Sequence, residues 1–228
     1  MFWQEDEDKT LPFQAPEDVL DLSFAIRCKQ LPIDHVWDLS QAIRKALPWF
    51  DEEPLAGVHS IHVAESGNGW LRPDDNAGLL IPSRRTRLEL RLPKQRIERA
   101  KALTGQTLSW DDYALSVGEA KEKSFSNAAV LFARYVLSSD TESEEQFLQR
   151  MAVEVQQLTQ FKIKKMLCGR SHHLQTPQGR LLTRHLMLAD LDNETAIHLQ
   201  QVGLGEGRKY GCGLLLPHKS IKTLKPTE

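Results

Sequence analysis

Cysteine is scarce: Cys28, Cys168 and Cys212 stand alone among 228 residues. Three isolated thiols make neither a disulfide framework nor a zinc-ligand spacing, which fits a reducing cytoplasm. Long hydrophobic runs are also lacking. The longest unbroken apolar stretch covers only residues 128–133, far short of the roughly 20 residues a membrane span requires. A basic leader is missing too, because Met1, Phe2 and Trp3 run straight into Glu5, Asp6, Glu7 and Asp8. These absences exclude a membrane or secreted protein and set the expectation of a cytoplasmic one. What is present suits packed domains. Hydrophobic residues make up 40% and charged residues 26%, so the chain can bury a core and is not disordered by composition. Its length suits two modest domains.

Charge is segregated behind an overall −2. Residues 1–78 carry 6 basic and 15 acidic groups, a net of −9, whereas residues 79–101 carry 8 and 2, a net of +6. Residues 102–160 then hold 4 and 9, net −5, and residues 161–228 hold 11 and 5, net +6. Two basic blocks between acidic ones can build a positive groove on a protein of ordinary isoelectric point. Solvated surface charge produces the same count, so charge raises nucleic acid as a partner without deciding it.

Periodicity gives one pattern twice. Residues 19–28 alternate into a half-buried strand that Pro32 ends. Asp34 is a plausible N-cap, and Val36, Leu39, Ile43 and Leu47 give an amphipathic helix stopped by Pro48. Residues 58–63 alternate as a second strand, followed by a Gly-, Asn-, Asp- and Pro-rich loop over 67–76. Residues 88–92 form a third strand, in which Arg91 shares the exposed alternation with Arg87 and Glu89. Pro93 opens a helix through Ile97, Ala100 and Leu103, and residues 108–117 form a fourth strand. The second copy has a strand over 129–136 and a helix over 143–158 with Phe147, Met151, Val155 and Leu158 inward. A strand pair over 161–167 and 181–188 follows, then a short helix over 193–202 and a closing strand over 211–216. The expected fold is therefore α+β, with tandem ferredoxin-like (βαββαβ) domains over residues 1–120 and 121–228 and a C-terminal glycine-rich loop. Four-stranded sheets of this topology also serve as RNA platforms, as in the RRM.

The glycine-rich loop is the most informative stretch. Gly203, Gly205, Gly207, Gly211 and Gly213 surround Arg208, Lys209 and Tyr210. Bare N–H groups at such glycines can cradle phosphates, with the cations adding charge and the tyrosine a stacking face. The spacing is neither a dinucleotide fingerprint nor a Walker loop. A tight turn between helix and edge strand is the structural alternative.

The segment 199–217 resembles the C-terminal glycine-rich signature of the CRISPR repeat-processing endoribonucleases of the RAMP superfamily, and most of all their Myxan-type subgroup. Residues 85–93 resemble the family's Arg-rich third strand, and Val117 and Gly118 with residues 127–136 resemble its crossing into the second domain. The resemblance implies tandem ferredoxin-like domains binding a repeat hairpin of precursor CRISPR RNA across a basic cleft. It further implies cleavage without metal or cofactor, leaving a 5′-hydroxyl and a 2′,3′-cyclic phosphate or 3′-phosphate. The processed guide RNA then enters a type I interference complex, whose other subunits become partners. A catalytically silent RAMP subunit that holds or caps the guide RNA is the alternative. A ligand-binding regulator of the same fold is disfavoured by the glycine-rich loop and the paired basic blocks.

Cleavage by a 2′-hydroxyl needs a base, an acid and cations around the phosphorane. The family commonly places a histidine at the start of the first helix, so the resemblance assigns catalysis to His35. A rival centre is the pair His172 and His173, of which one at most enters a site if the segment is extended. His59 and His62 read as structural, and His185, His198 and His218 carry no argument. RNA contacts are expected from Arg84, Arg85, Arg87, Lys165, Arg170, His172, His173 and Arg184. Gly203, Gly205, Gly207, Arg208 and Lys209 complete that set.

Overall fold

The computed structural model describes residues 17–63 and 78–218. The acidic head and the loop expected over 67–76 lie outside these residues. The first half runs β1 (Val19–Arg27), β2 (Leu31–Pro32), α1 (Val36–Ala46), β3 (Gly57–Val58), β4 (Leu79–Leu80), β5 (Arg87–Pro93), α2 (Ile97–Ala100), β6 (Thr107–Trp110) and β7 (Tyr113–Lys123). The second half runs β8 (Val130–Leu137), α3 (Glu144–Thr159), β9 (Lys165–Thr176), β10 (Gly179–Ala189), α4 (Asn193–Val202) and β11 (Leu215–Pro217).

Two main sheets result, in the orders β3-β5-β1-β7-β6 and β11-β8-β10-β9, with β2 and β4 as a separate short pair. Leaving out the added edge strand β6, both main sheets share the antiparallel order of a ferredoxin-like βαββαβ unit. The chain passes from one to the other between Lys123 and Val130, a few residues beyond the expected division at 120. Leu20, Leu22, Phe24 and Ile26 of β1 join Leu39 and Ile43 of α1 in the first core. The second core joins Leu131, Ala133 and Val136 of β8 to Phe147, Met151 and Val155 of α3. Ser143 starts α3 with a capping box that Gln146 completes, satisfying two donors otherwise orphaned at the helix end.

Several expectations shift. Leu158 is exposed instead of facing inward, and the strand expected over 161–167 is β9, which starts at Lys165. The single strand expected over 108–117 is the β6–β7 hairpin, in which Trp110 pairs with Tyr113 and Asp111 takes φ 46°. Aspartate tolerates this conformation, and two such residues close a tight turn. The strand expected over 58–63 keeps only Gly57 and Val58. The closing strand starts at Leu215, because Gly211 and Gly213 hold left-handed φ values of 78° and 69°.

Candidate active site

The glycine-rich segment turns inward. The N–H of Gly203 donates to Leu199, that of Leu204 to Gly213, that of Gly213 to Tyr135 and that of Cys212 to Gly207. The Gly205 N–H donates to Glu154 Oε1 at 2.5 Å. The amides of Gly203 and Gly205 are thus engaged within the protein rather than turned outward as a phosphate cradle expects. Glycine is required here by close approach. A Cβ on Gly213 would stand 2.0 Å from the Leu204 carbonyl oxygen, and one on Gly207 3.0 Å from Leu137. Neighbouring β3 is held equally tightly, since a Cβ on Gly57 would meet Leu214 at 2.8 Å.

The cations of this segment are engaged likewise. Arg208 donates to the Val202 carbonyl, to Leu55 O at 2.7 Å and to Gln201 O at 3.0 Å. Burial, with Arg91 nearby, holds its pKa down at about 10. Lys209 donates to the carbonyls of Phe50 and Glu53, with its ammonium 4.7 Å from the Phe50 ring centre. Burial lowers its pKa to about 8. Tyr210 stacks on Trp37 of α1 at 4.8 Å rather than offering its face to a base. All three side chains therefore fasten the second domain to the first.

His35 stands at the N-cap of α1 with 0% exposure. Its Nδ1 lies 2.8 Å from the Pro32 carbonyl, and the Ile61 N–H donates to its Nε2 at 3.0 Å. These partners require a proton on Nδ1 and an acceptor at Nε2, the neutral tautomer. A ring so enclosed ties the start of α1 to the chain after β3. Backbone partners on both ring nitrogens set it apart from the cleft-facing groups described below. The N-cap position belongs to His35 rather than Asp34, whose carboxylate accepts from the Gln175 N–H at 2.7 Å, across to β9.

Between the domains lies a buried ion network. Arg91, 0% exposed, donates from Nε and Nη2 to Asp21 at 2.8 and 2.9 Å, and from Nη1 to the carbonyls of Gln200 and Leu215. The expected exposure of Arg91 is thus reversed, because the outer face of the first sheet is covered by the second domain. His59 Nε2 lies 3.2 Å from Asp21 Oδ1. Burial alone would push the Asp21 carboxyl up, but Arg91 and His59 overcome it and hold the group far below the usual carboxylate range.

Next to this network opens a cleft of about 300 Å³. From the first domain it is lined by His59, His62, Arg85, Arg87, Glu89 and Lys123, and from the second by Arg134 and Tyr135. Arg85 and Arg87 are exposed, and Lys123 pairs with Glu89. Arg134 lies over the Phe132 ring at 5.1 Å, its pKa lowered by burial. Beside the cleft, His172 of β9 and His185 of β10 approach Tyr135 at 6.0 and 6.3 Å between ring centres. The cleft can hold a polyanion by its cations and offers imidazoles for proton transfer.

The comparisons with known proteins identify the lineage. Residues 20–220 match the Cas6 CRISPR family model. The chain belongs to the Cas6 family. A CRISPR-associated endonuclease Cas6 of Myxococcus xanthus (strain DK1622) is 26% identical over 198 residues, covering 87% of this chain and 81% of that one. A CRISPR-associated protein Cas6 superposes with TM-score 0.59 at 11% identity, covering 88% of this chain and 100% of its own. A Cas6-related protein of Pyrococcus furiosus gives 0.58 at 13% identity, with coverages of 89% and 99%. These structural likenesses agree with the tandem ferredoxin-like fold.

Other expected contacts of this family member separate by environment. Arg84, Arg170 and His173 are exposed, and Lys165 is exposed while paired to Asp190 at 2.7 Å. Arg184 is half-buried and donates to Ser138 Oγ and the Glu142 carbonyl. His172 turns toward Tyr135 while His173 faces out, as strand alternation requires. Sequence reading missed His59, His62, Lys123, Arg134, Tyr135 and His185 as cleft or cleft-side groups. One kind of signal was available: strand alternation put His172 and His173 on opposite faces, and likewise His59 and His62 within the strand expected over 58–63. Among the described residues no group of three or more His, Cys, Asp or Glu side chains is placed to hold a metal ion. Among them, too, no helix is long and apolar enough to cross a membrane.

Proposed function

We propose that this chain is an endoribonuclease that cuts the repeat hairpin of precursor CRISPR RNA without a metal ion. The observation that carries the reading is the interdomain cleft, where Arg85, Arg87, Lys123 and Arg134 converge beside imidazoles in a protein of the Cas6 family. The relative from Myxococcus xanthus is named an endonuclease, and that name supports the same reading. Cations placed around a scissile phosphate stabilise the charge that grows as the 2′-oxygen attacks. The 2′-oxygen forms its bond to phosphorus as the bond to the 5′-oxygen breaks, leaving a 2′,3′-cyclic phosphate and a 5′-hydroxyl. Exposed Arg84, Lys165, Arg170 and His173 would add phosphate contacts outside the cleft. The chain then keeps its product and enters a type I interference complex with it, since a polyanion held by several cations leaves slowly at moderate salt.

The test mixes purified chain with its cognate repeat RNA in EDTA and resolves the products on a denaturing gel. One cut bearing a cyclic phosphate is expected, with RNA carrying a single 2′-deoxy residue at the cut site left whole. Tight binding with intact RNA makes the chain a silent guide-RNA holder instead. Cleavage that EDTA abolishes overturns the mechanism.

A further inference from the structure

The face of the second sheet turned away from α3 carries two rows of side chains that the register sets across the strands. Leu216, Phe132, Met187 and Leu167 stand side by side on β11, β8, β10 and β9. None of the four is fully buried, and Leu167 is 59% exposed. The next row is cationic. Opposite His185 both neighbouring strands carry one extra residue, Arg134 with Tyr135 on β8 and Gly169 with Arg170 on β9. A bulge re-aims side chains, and on β8 the core positions run Leu131, Ala133 and then Val136, so Arg134 and Tyr135 share the outer face. On β9, Cys168 faces the core while His172 meets Tyr135, which leaves Arg170, two before His172, on the outer face as well. Arg134 lies 5.1 Å from the Phe132 ring centre, and His218 meets that ring edge-on at 5.8 Å. The Arg134 Nε is buried and has no hydrogen-bond partner among the described residues. Neither aspartate nor glutamate occurs in β8, β9, β10 or β11. Leu216 and Arg134 also line the cleft, so both rows lead out of it.

From this arrangement we infer that the open face of the second sheet binds unpaired nucleotides of the RNA strand that continues out of the cleft. Their bases lie on Phe132, Met187 and Leu167, and their phosphates on Arg134 and Arg170. The inference rests on the RNA reading above. Single-stranded RNA supplies what both rows require, since a base has an apolar face for the first and each phosphate a charge for the second. A second copy of the chain docked face to face would set like rows of cations against each other, which is unfavourable. An apolar protein surface would cover Leu167 and leave the two arginines without a counter-charge. Three strand spacings make the apolar row about 14 Å long. That is room for about two bases, the number a four-stranded sheet of this topology stacks when it reads RNA.

The test uses the cognate repeat hairpin with a 2′-deoxy residue at the cut site, either blunt or extended by an unpaired flank at its 5′ or its 3′ end. Affinity is measured for each RNA, and the ratio of flanked to blunt is compared between variants. For wild type one flank is expected to tighten binding about 5- to 100-fold for each base stacked. That gain should fall toward one in Phe132→Leu and in Leu167→Glu. Arg170→Ala should lower the salt slope of the flank's contribution by about 0.7. A 2-aminopurine placed in that flank should be quenched on wild type and less so on Phe132→Leu. Should Phe132→Leu fail to fold, Leu167→Glu alters an exposed position and keeps the test open. A wild type that binds flanked and blunt hairpins alike overturns the subsite, as does a gain that survives both variants. A wild-type dimer that Leu167→Glu turns into a monomer gives the row to a second copy and overturns it too. A wild type that neither binds nor cuts the blunt all-ribose hairpin overturns the RNA reading itself.

Discussion

The glycine-rich segment and the cleft beside it carry the same residue types in opposite uses. Arg208 and Lys209 point their charges at backbone carbonyls of the first domain, whereas Arg85 and Arg87 stay exposed at the cleft, Arg87 donating to the carbonyls of Arg84 and Thr86 beside it. The amides of the segment are occupied by its own carbonyls, Tyr135 and Glu154. A motif rich in glycine and cations can thus fasten two domains just as well as it can hold a phosphate. Where each hydrogen bond goes decides between the two uses.

The largest effect should come from the buried network at the junction. Arg91→Met leaves the Asp21 carboxylate buried without its cation, and we expect a loss of about 3–5 kcal/mol in chemical denaturation. The double variant Asp21→Leu with Arg91→Met should recover much of it, because no charge is then stranded. The same network predicts acid sensitivity. A carboxyl with a folded pKa held below its unfolded value of about 3.9 stabilises above that value, and the stability drains away as pH falls below it. Thermal melts from pH 6 downward should therefore show a decline that Asp21→Asn reduces.

Gly213→Ala should rank next, at about 3 kcal/mol, since the new Cβ meets a carbonyl oxygen and the backbone is left-handed. A variant that melts as wild type would break the picture of a closely packed interdomain fastener. His35→Ala follows at about 2 kcal/mol, the cost of leaving backbone partners unsatisfied. Its folded fraction, assayed below its melting temperature, should still cut RNA, and a stable protein that binds without cutting would return His35 to the reaction.

The smallest effect on stability separates the two regions most sharply. Arg87→Ala should change the melt by no more than about 0.5 kcal/mol and lower the salt slope of RNA binding by about 0.7–0.9 for each phosphate that Arg87 neutralises. Arg208→Ala should do the reverse, lowering the melt while leaving that slope unchanged.

Periodicity read the repeated element order well, because each core-facing residue repeats at the spacing of its strand or helix. Leu20, Leu22 and Phe24 or Phe147, Met151 and Val155 need no distant information to be recognised. The candidate site was less legible. Arg91 sits in strict alternation with Arg87 and Glu89, yet the second domain covers only part of that face and buries it alone. His185 lies opposite an extra residue in both β8 and β9, where alternation across the sheet stops being a guide. His35 occupies the position the family resemblance favours, but its ring is closed off by Ile61, twenty-six positions along the chain.

By itself, the sequence determined two amphipathic βαββαβ units, the glycines demanded by left-handed turns, and the family. Those depend on neighbours within a few residues, where spacing translates directly into which face is wet. Tertiary structure alone decided which cations remain outside and which imidazoles meet. Both depend on docking one sheet against another, and that docking joins residues such as Arg91 and Leu215 that are remote in sequence.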